Sequence, residues 1–155
     1  MDDLFNQLMS DPAWVAQAKI DGQRAMWDGD GGLWSHRGIA IKRSSRVLSA
    51  LSRFAQPLDG EFVPVKGQQE GTYWVFDLPD HRGTLDERVA ALRHLVCEYE
   101  GSGLIEMIPS DVTWSDVDEG GWEGLVFKNR LSRYPKALRV GTTKGCWVKY
   151  RAAWL

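Results

Sequence analysis

The sequence has few cysteines, no long apolar run and no spacing typical of a metal site. Its 155 residues contain nothing that approaches the roughly 18 consecutive apolar residues of a transmembrane helix. The first residues also lack the basic segment and cleavage site of a secretory signal. We therefore expect a soluble, cytoplasmic protein. Cys97 and Cys146 form no C-x-x-C pair, and the three histidines have no zinc-ligand spacing, which disfavours a disulfide scaffold and a structural zinc.

The net charge of −2 conceals two strongly basic segments. Residues 31–58 carry five basic side chains and residues 124–155 carry eight, with no acid in either segment. Phosphate binding depends on the local density of cations, so such segments favour a polyanionic partner such as nucleic acid. A solvated basic surface without a partner is the alternative interpretation.

Length and hydrophobic pattern predict one domain of the α+β class over residues 1–155. Helices are predicted before Pro12, over 44–54, and from a capping box at Thr84 to Gly101. Asp21-Gly22 separates two apolar segments, which predicts a tight hairpin between strands 14–20 and 24–27. Further strands are predicted over 33–35, 61–63, 73–76, 104–108, 124–127 and 146–150.

A lysine at a strand end is the first candidate for chemistry. Lys19 ends the apolar strand, and Asp21 and Arg24 follow on the predicted turn. A lysine that is partly desolvated or held near other cations can lose its proton and act as a nucleophile. A surface ion pair is the more ordinary explanation of this hexapeptide taken alone.

Acidic and basic side chains on three later strands complement this lysine. Glu61 and Glu123 stand at strand starts, where carboxylates can hold Mg²⁺. In the strand around Trp147, alternation places Lys149 and Arg151 on one face of the sheet, with Val148 and Tyr150 on the other. An amine, two carboxylates and a cationic row are the parts needed to attack a nucleotide phosphate.

The chain resembles the catalytic, or adenylation, domain of ATP-dependent DNA ligases within the covalent nucleotidyltransferases. Six motifs occur in the family's order and span residues 19–151. They are Lys19-x-Asp21-Gly22-x-Arg24, Ser35-His36-Arg37-Gly38, Asp59-Gly60-Glu61, Tyr73-Trp74-Val75-Phe76-Asp77, Glu123-Gly124-x-x-x-Lys128 and Trp147-Val148-Lys149-Tyr150-Arg151. The resemblance implies antiparallel β-sheets flanked by helices.

The resemblance also implies a mechanism with ATP and Mg²⁺ as cofactors. Lys19 would attack the α-phosphate of ATP, AMP would pass to the 5′-phosphate at a nick, and the 3′-hydroxyl would then displace AMP. Nucleotide contacts would come from Asp21, Arg24, Glu61, Phe76, Glu123, Lys149 and Arg151. Among these, Phe76 would stack on adenine, Glu61 and Glu123 would lie on the metal side, and Lys149 and Arg151 would neutralise the α-phosphate.

Nicked double-stranded DNA is the partner that the resemblance implies. Arg24 and Arg37 would meet the nick phosphate and its flanking backbone. The basic segments would add Lys42, Arg43, Arg130 and Arg133 as further nucleic-acid contacts.

The chain departs from the family pattern at its end, four residues after Arg151. Ligases of this family continue there into an oligonucleotide-binding barrel, so we expect a minimal, monomeric domain without that barrel, or a partner that supplies it in trans. An arginine stands at 151 where the family more often has lysine, which puts that residue's role in question. An RNA ligase, an RNA guanylyltransferase-like enzyme and a nick-binding accessory module remain open as alternatives.

Overall fold

The computed structural model describes residues 2–42, 45–66, 70–135 and 146–154. Among these residues it contains four α-helices and eight strands, in agreement with the predicted α+β class. No described helix has the length and apolar character needed to cross a membrane. In chain order the elements are α1 Asp3–Ser10, β1 Trp14–Lys19, β2 Gln23–Trp27, β3 Leu33–Ser35, α2 Ser45–Leu51, β4 Leu58–Pro64, β5 Gly71–Asp77, α3 Leu85–Val96, β6 Ile105–Met107, α4 Trp114–Gly120, β7 Gly124–Asn129 and β8 Trp147–Arg151.

The strands form two separate sheets, each with helices on one face. The smaller sheet has the order β1-β7-β8 and is antiparallel. The larger has the order β3-β2-β4-β5-β6 and is antiparallel except for the β5–β6 pair. One apolar core lies between the larger sheet and helices α2 and α3, and a second lies between the smaller sheet and helices α1 and α4.

The predicted hairpin between β1 and β2 is wrong. β1 pairs with β7, whereas β2 pairs with β3 and β4, so the segment 20–22 carries the chain from one sheet to the other. An Asp-Gly pair reports only that the chain turns, and the pairing partner is decided by distant strands. Gly22 is needed at this crossing because a Cβ there would lie 2.6 Å from the carbonyl oxygen of Phe62. As a result, Lys19 and Arg24 belong to different sheets.

Helix α3 could be predicted from the sequence, whereas helix α4 could not. The capping box of α3 is present as predicted, with Thr84 and Glu87 bonded to each other's backbone. Helix α4 was not predicted, although Thr113 and Asp116 form an equivalent capping box. Only Val117 of α4 is buried, so this helix has no periodic apolar stripe that the sequence could reveal.

A fully buried ion pair joins α3 to β5 beside the cleft between the sheets. Arg88 Nε donates to Asp77 Oδ1 at 2.6 Å, and Arg88 Nη2 donates to Asp77 Oδ2 at 3.2 Å. Arg88 Nη1 also donates to the carbonyls of Gly83 at 3.0 Å and Ser132 at 2.8 Å. Arg88 therefore fixes the segment that follows β7 against the larger sheet.

Candidate active site

The cleft between the two sheets contains a pocket that gathers five of the eight residues predicted to react with or contact the nucleotide. Its walls come from β1, β7 and β8 on one side and from β2, β4 and β5 on the other, with Ile20 and Ile108 from connecting segments. The remaining lining residues are Gln17, Ala18, Lys19, Arg24, Glu61, Phe76, Val126, Lys128, Trp147 and Lys149.

Lys19 forms an ion pair with Glu123 at the edge of this pocket. Its ammonium contacts Glu123 Oε2, and the side chains of Lys19 and Glu123 are 15% and 27% exposed. The other carboxylate oxygen, Oε1, forms an ion pair with Arg151 Nε at 2.9 Å. The backbone N–H of Glu123 also donates to the carbonyl of Lys19 at 2.8 Å. The β1–β7–β8 register therefore places the predicted nucleophile, a carboxylate and a cation in direct contact.

Arg24 faces Lys19 across the cleft and is held by a buried carboxylate. Its guanidinium donates through Nε and Nη2 to the two oxygens of Asp59, which is 0% exposed. Burial acts to lower the pKa of Arg24, but the charge and hydrogen bond of Asp59 raise it overall. The guanidinium carbon lies 5.7 Å from the ring centroid of Phe76 and 5.5 Å from that of Trp147.

Tyr134 completes this network and was not identified in the sequence. Its hydroxyl donates to Asp59 Oδ2 at 2.7 Å, and its ring lies edge-on to Trp147 with centroids 6.2 Å apart. Burial, followed by the charge of Asp59, raises the pKa of Tyr134 well above its ordinary value. No strand pattern marks this residue, because it lies in the irregular segment after β7.

Glu61 is a carboxylate that lines the pocket, and it lies directly opposite Arg24 in the β2–β4 register. Burial raises the pKa of Glu61 to about 7, against the opposing effect of Lys19 and Arg24. Burial, together with the nearby charges of Arg24 and Lys19, lowers the pKa of Lys149. The cleft therefore places several cations around the Glu61 carboxylate, whose ionised form is destabilised by burial.

Two buried polar side chains at the inner end of the pocket were missed as site residues. Lys128 and Gln17 are each 2% exposed, and neither side chain is hydrogen-bonded to any described residue. Lys128 Nζ lies 4.3 Å from the centroid of Phe76 and 4.1 Å from that of Trp147, and burial lowers its pKa to about 8. The alternation of side chains along a strand could have identified both residues, because Gln17 lies on the same face of β1 as Lys19, and Lys128 lies on the same face of β7 as Val126.

The remaining predicted nucleotide contacts have different surroundings. Phe76 is half-buried in the pocket wall and lies edge-on to Trp147, with centroids 5.9 Å apart. Asp21 is exposed in the crossing segment 20–22 and does not line the pocket. Arg151 is 47% exposed and forms an ion pair with Glu123.

The predicted nucleic-acid contacts divide into three groups. Arg37 and Lys42 are exposed near the outer edge of the larger sheet, and Arg43 lies outside the described residues. Arg133 is exposed and donates to the carbonyl of Arg82. Arg130 instead forms hydrogen bonds within the protein, because it donates to the Pro12 carbonyl and to the carboxylates of Asp86 and Asp111. A segment without acids in the sequence is thus partly neutralised by acids from other elements.

Glu61 and Glu123 are the carboxylates that could hold a divalent ion. The described residues contain no group of three or more His, Cys, Asp and Glu side chains placed to hold a metal. Mg²⁺ at nucleotide sites commonly takes only one or two protein carboxylates and completes its shell with phosphate oxygens and water. Both carboxylates interact with Lys19, so the donor set fits a metal that arrives with a nucleotide.

Comparison with known proteins supports the resemblance that the motifs indicated. No family model matches the chain. A DNA ligase of Haemophilus influenzae strain Rd is 28% identical over an alignment of 161 positions, which covers 85% of this chain and 59% of the relative. The chain therefore spans about three fifths of the length of the curated relative it matches.

Solved structures of DNA ligases share the fold. A mycobacterial DNA ligase D complexed with ATP and MES gives a TM-score of 0.65 at 23% identity, covering 90% of this chain and 54% of that one. A Lig E DNA ligase, described as binding DNA with a minimal scaffold, gives 0.64 at 18% identity, covering 79% and 57%. The Chlorella virus DNA ligase-adenylate gives 0.61 at 15% identity, covering 82% and 57%. The resemblance to the catalytic domain of ATP-dependent DNA ligases is thereby confirmed for the fold.

Proposed function

We propose that this chain, which has the fold of a DNA ligase catalytic domain, seals nicks in duplex DNA through a lysyl-AMP intermediate. The observation that carries the proposal is the position of Lys19 at the edge of the pocket, in contact with Glu123 and facing Arg24, Glu61 and Lys149. The DNA ligases that share the fold and the sequence similarity support the choice of reaction.

Lys19 is the group we assign to bond formation. Its Nζ attacks the α-phosphorus of ATP, the nitrogen–phosphorus bond forms, and pyrophosphate leaves with the electrons of the broken phosphorus–oxygen bond. Attack requires the neutral amine, and Glu123 is placed to hold the amine in position and accept its proton. Lys149 and Arg24 supply positive charge facing the phosphate, where charge develops in the transition state.

The later steps use the same pocket. AMP passes from Lys19 to the 5′-phosphate of the nick, and the 3′-hydroxyl then attacks that phosphate and expels AMP. Mg²⁺, held by Glu61 and Glu123 with nucleotide oxygens, would neutralise phosphate charge when bound. The protein's own contribution is to orient the reacting groups and to exclude water. Such positioning can raise the rate by several orders of magnitude.

The inner end of the pocket is proposed to hold the base. Phe76 and Trp147 offer aromatic surfaces, and the amide of Gln17 and the ammonium of Lys128 offer polar contacts. Guanylyl transfer is the second candidate function, since Lys128 can only donate and guanine presents O6 and N7 as acceptors. A glutamine amide both donates and accepts, which suits the amino group and ring nitrogen of adenine.

Labelled nucleotide tests this proposal. The protein is incubated with α-labelled ATP or GTP and Mg²⁺, and an acid-labile, alkali-stable protein adduct is sought. An adduct with ATP that exceeds the adduct with GTP supports the ligase, whereas the reverse preference favours guanylyl transfer. A folded protein that forms neither adduct but binds nicked DNA favours a nick-binding module.

Tyr134→Phe is expected to slow adduct formation roughly tenfold, because it loosens the Asp59 carboxylate that orients Arg24. The free energy of unfolding should fall by about 1.5–3 kcal/mol, the range for a hydrogen bond to a charged group. Tyr99→Phe is the matched control, since the Tyr99 hydroxyl is bonded to no described residue. Single-turnover labelling and denaturant unfolding measure both effects, and equal labelling rates in the two variants would exclude a positioning role.

Affinity for nicked DNA is expected to fall steeply with salt through contacts made by Arg37 and Lys42. Each phosphate contact contributes roughly 0.9 to the slope of log affinity against log salt concentration. Replacing both residues by alanine should therefore reduce that slope by about 2. Arg130→Ala should leave the slope unchanged, because its guanidinium already serves Asp86, Asp111 and the Pro12 carbonyl. Fluorescence anisotropy titrations over a series of salt concentrations test both statements.

A further inference from the structure

Trp34 is an exposed tryptophan on the face of the larger sheet that carries the candidate site. It is 40% exposed, whereas its strand neighbours Leu33 and Ser35 are 3% and 8% exposed. Leu33 packs in the core beneath helices α2 and α3. Because side chains alternate along a strand, Trp34 projects from the opposite face, the one that presents Arg24 to the pocket.

Trp34 lies in a row of paired residues that runs across the larger sheet to the candidate site. Trp34 pairs with Met26 of β2, and Met26 pairs with Asp59 of β4, the carboxylate that holds Arg24. Adjacent strands lie about 4.8 Å apart, so Trp34 stands roughly 10 Å from Asp59 along this row. An exposed aromatic side chain therefore lies on the extension of the pocket wall.

The indole ring is held in place before any partner binds. Its Nε1 donates to Asp28 Oδ2 at 2.9 Å, and Asp28 Oδ1 accepts from the backbone N–H groups of Asp30 at 2.7 Å and Gly32 at 2.9 Å. On the outer side, Trp34 pairs with Ala40, whose small side chain leaves the ring uncovered. A fixed, uncovered ring loses little conformational entropy when it contacts a partner.

Charges around Trp34 match a polyanion. Arg37 and Lys42 are both exposed within eight residues of it along the chain. Asp28 and Asp30 are the acids of the preceding turn, and the Asp28 carboxylate is already engaged in three hydrogen bonds. An aromatic surface beside cations is the combination with which proteins bind the bases and backbone of a polynucleotide strand.

We propose that Trp34 is a stacking platform for the polynucleotide strand that continues beyond the reacting end. The ring packs against a sugar or base of that strand, and Arg37 and Lys42 neutralise the flanking phosphates. This assignment rests on the proposed function for its substrate class, and it adds a nucleic-acid contact outside the nucleotide pocket, because Trp34 does not line that pocket.

Binding to a nicked duplex that bears a 5′-hydroxyl at the nick tests the platform without chemistry. Trp34→Ala is expected to weaken binding about tenfold, as base–aromatic contacts do when truncated, whereas Trp34→Phe should retain most of the affinity. Leu4→Ala is the control, since Leu4 is 50% exposed on helix α1, which packs on the smaller sheet. Tryptophan emission should also be quenched by the duplex, and less so in Trp34→Phe.

The outcomes separate this proposal from the proposed function. If folded Trp34→Ala binds the duplex within twofold of the parent protein, or if the parent protein does not bind it, the platform is overturned. Lysyl-AMP formation is measured alongside and should be unchanged in Trp34→Ala. Duplex binding that depends on Trp34 in a protein that forms no adduct would support the platform while rejecting the ligase.

Discussion

Replacing Lys19 by alanine is expected to abolish the labelled nucleotide adduct while leaving the fold intact. The substitution removes the proposed reacting nitrogen, so labelling should fall to background. The backbone pairing of Lys19 with Gly124 does not depend on the side chain, and Glu123 keeps its bond to Arg151. The measurement is gel-based labelling alongside circular dichroism and a denaturant unfolding curve.

Lys19→Arg is the conservative partner of that experiment. It preserves the positive charge opposite Glu123, yet a guanidinium cannot be deprotonated in a protein and so cannot attack. The variant should therefore be as inactive as Lys19→Ala. Adduct that survives in either folded variant would assign the nucleophile to another residue, and among the described residues Lys149 and Lys128 are the other lysines that line the pocket.

Replacing Arg88 by methionine is expected to lower the free energy of unfolding by about 3–5 kcal/mol, the range for removing one partner of a buried ion pair. Asp77 is 0% exposed and would lose both of its bonds to the guanidinium, and the carbonyls of Gly83 and Ser132 would lose a donor. Denaturant unfolding measures the change.

Arg130→Met is the matched control for that loss. Its two ion pairs lie at the surface, with side-chain exposures of 31% for Arg130, 56% for Asp86 and 69% for Asp111. Exposed pairs of this kind contribute about 0–1 kcal/mol each because water screens them. Equal destabilisation by the two substitutions would contradict the assignment of Arg88 as the buried structural cation.

Five of the residues that line the pocket could be predicted from the sequence, because the motifs that contain them occur in the order typical of the family. Lys19, Glu61, Phe76 and Lys149 line one pocket, although they lie on strands separated by up to 130 residues. The order of the motifs along the chain is what predicted that these residues would meet. Local patterns could not supply it, as the hairpin wrongly predicted at Asp21-Gly22 shows, because strand partners are chosen by long-range packing.

The residues that were missed have physical reasons for being inconspicuous. Lys128 and Gln17 are polar residues on mostly apolar strands, and they become part of a pocket only where the two sheets meet. Tyr134 acts through a hydrogen bond across 75 residues that no spacing encodes. Arg130 was predicted to contact nucleic acid because it lies in a basic segment. Its guanidinium instead pairs with carboxylates from α3 and from the segment before α4, which are distant in the sequence.

Transfer of the labelled group from protein to DNA tests the central claim most directly. The adduct is formed with α-labelled ATP, freed of nucleotide, and mixed with a duplex that carries a 5′-phosphate at a nick. The account predicts that the label moves from Lys19 to the 5′-phosphate and is released as AMP when the strand is sealed. An adduct that persists in the presence of the nick, or that passes to an RNA end and not to DNA, would contradict it.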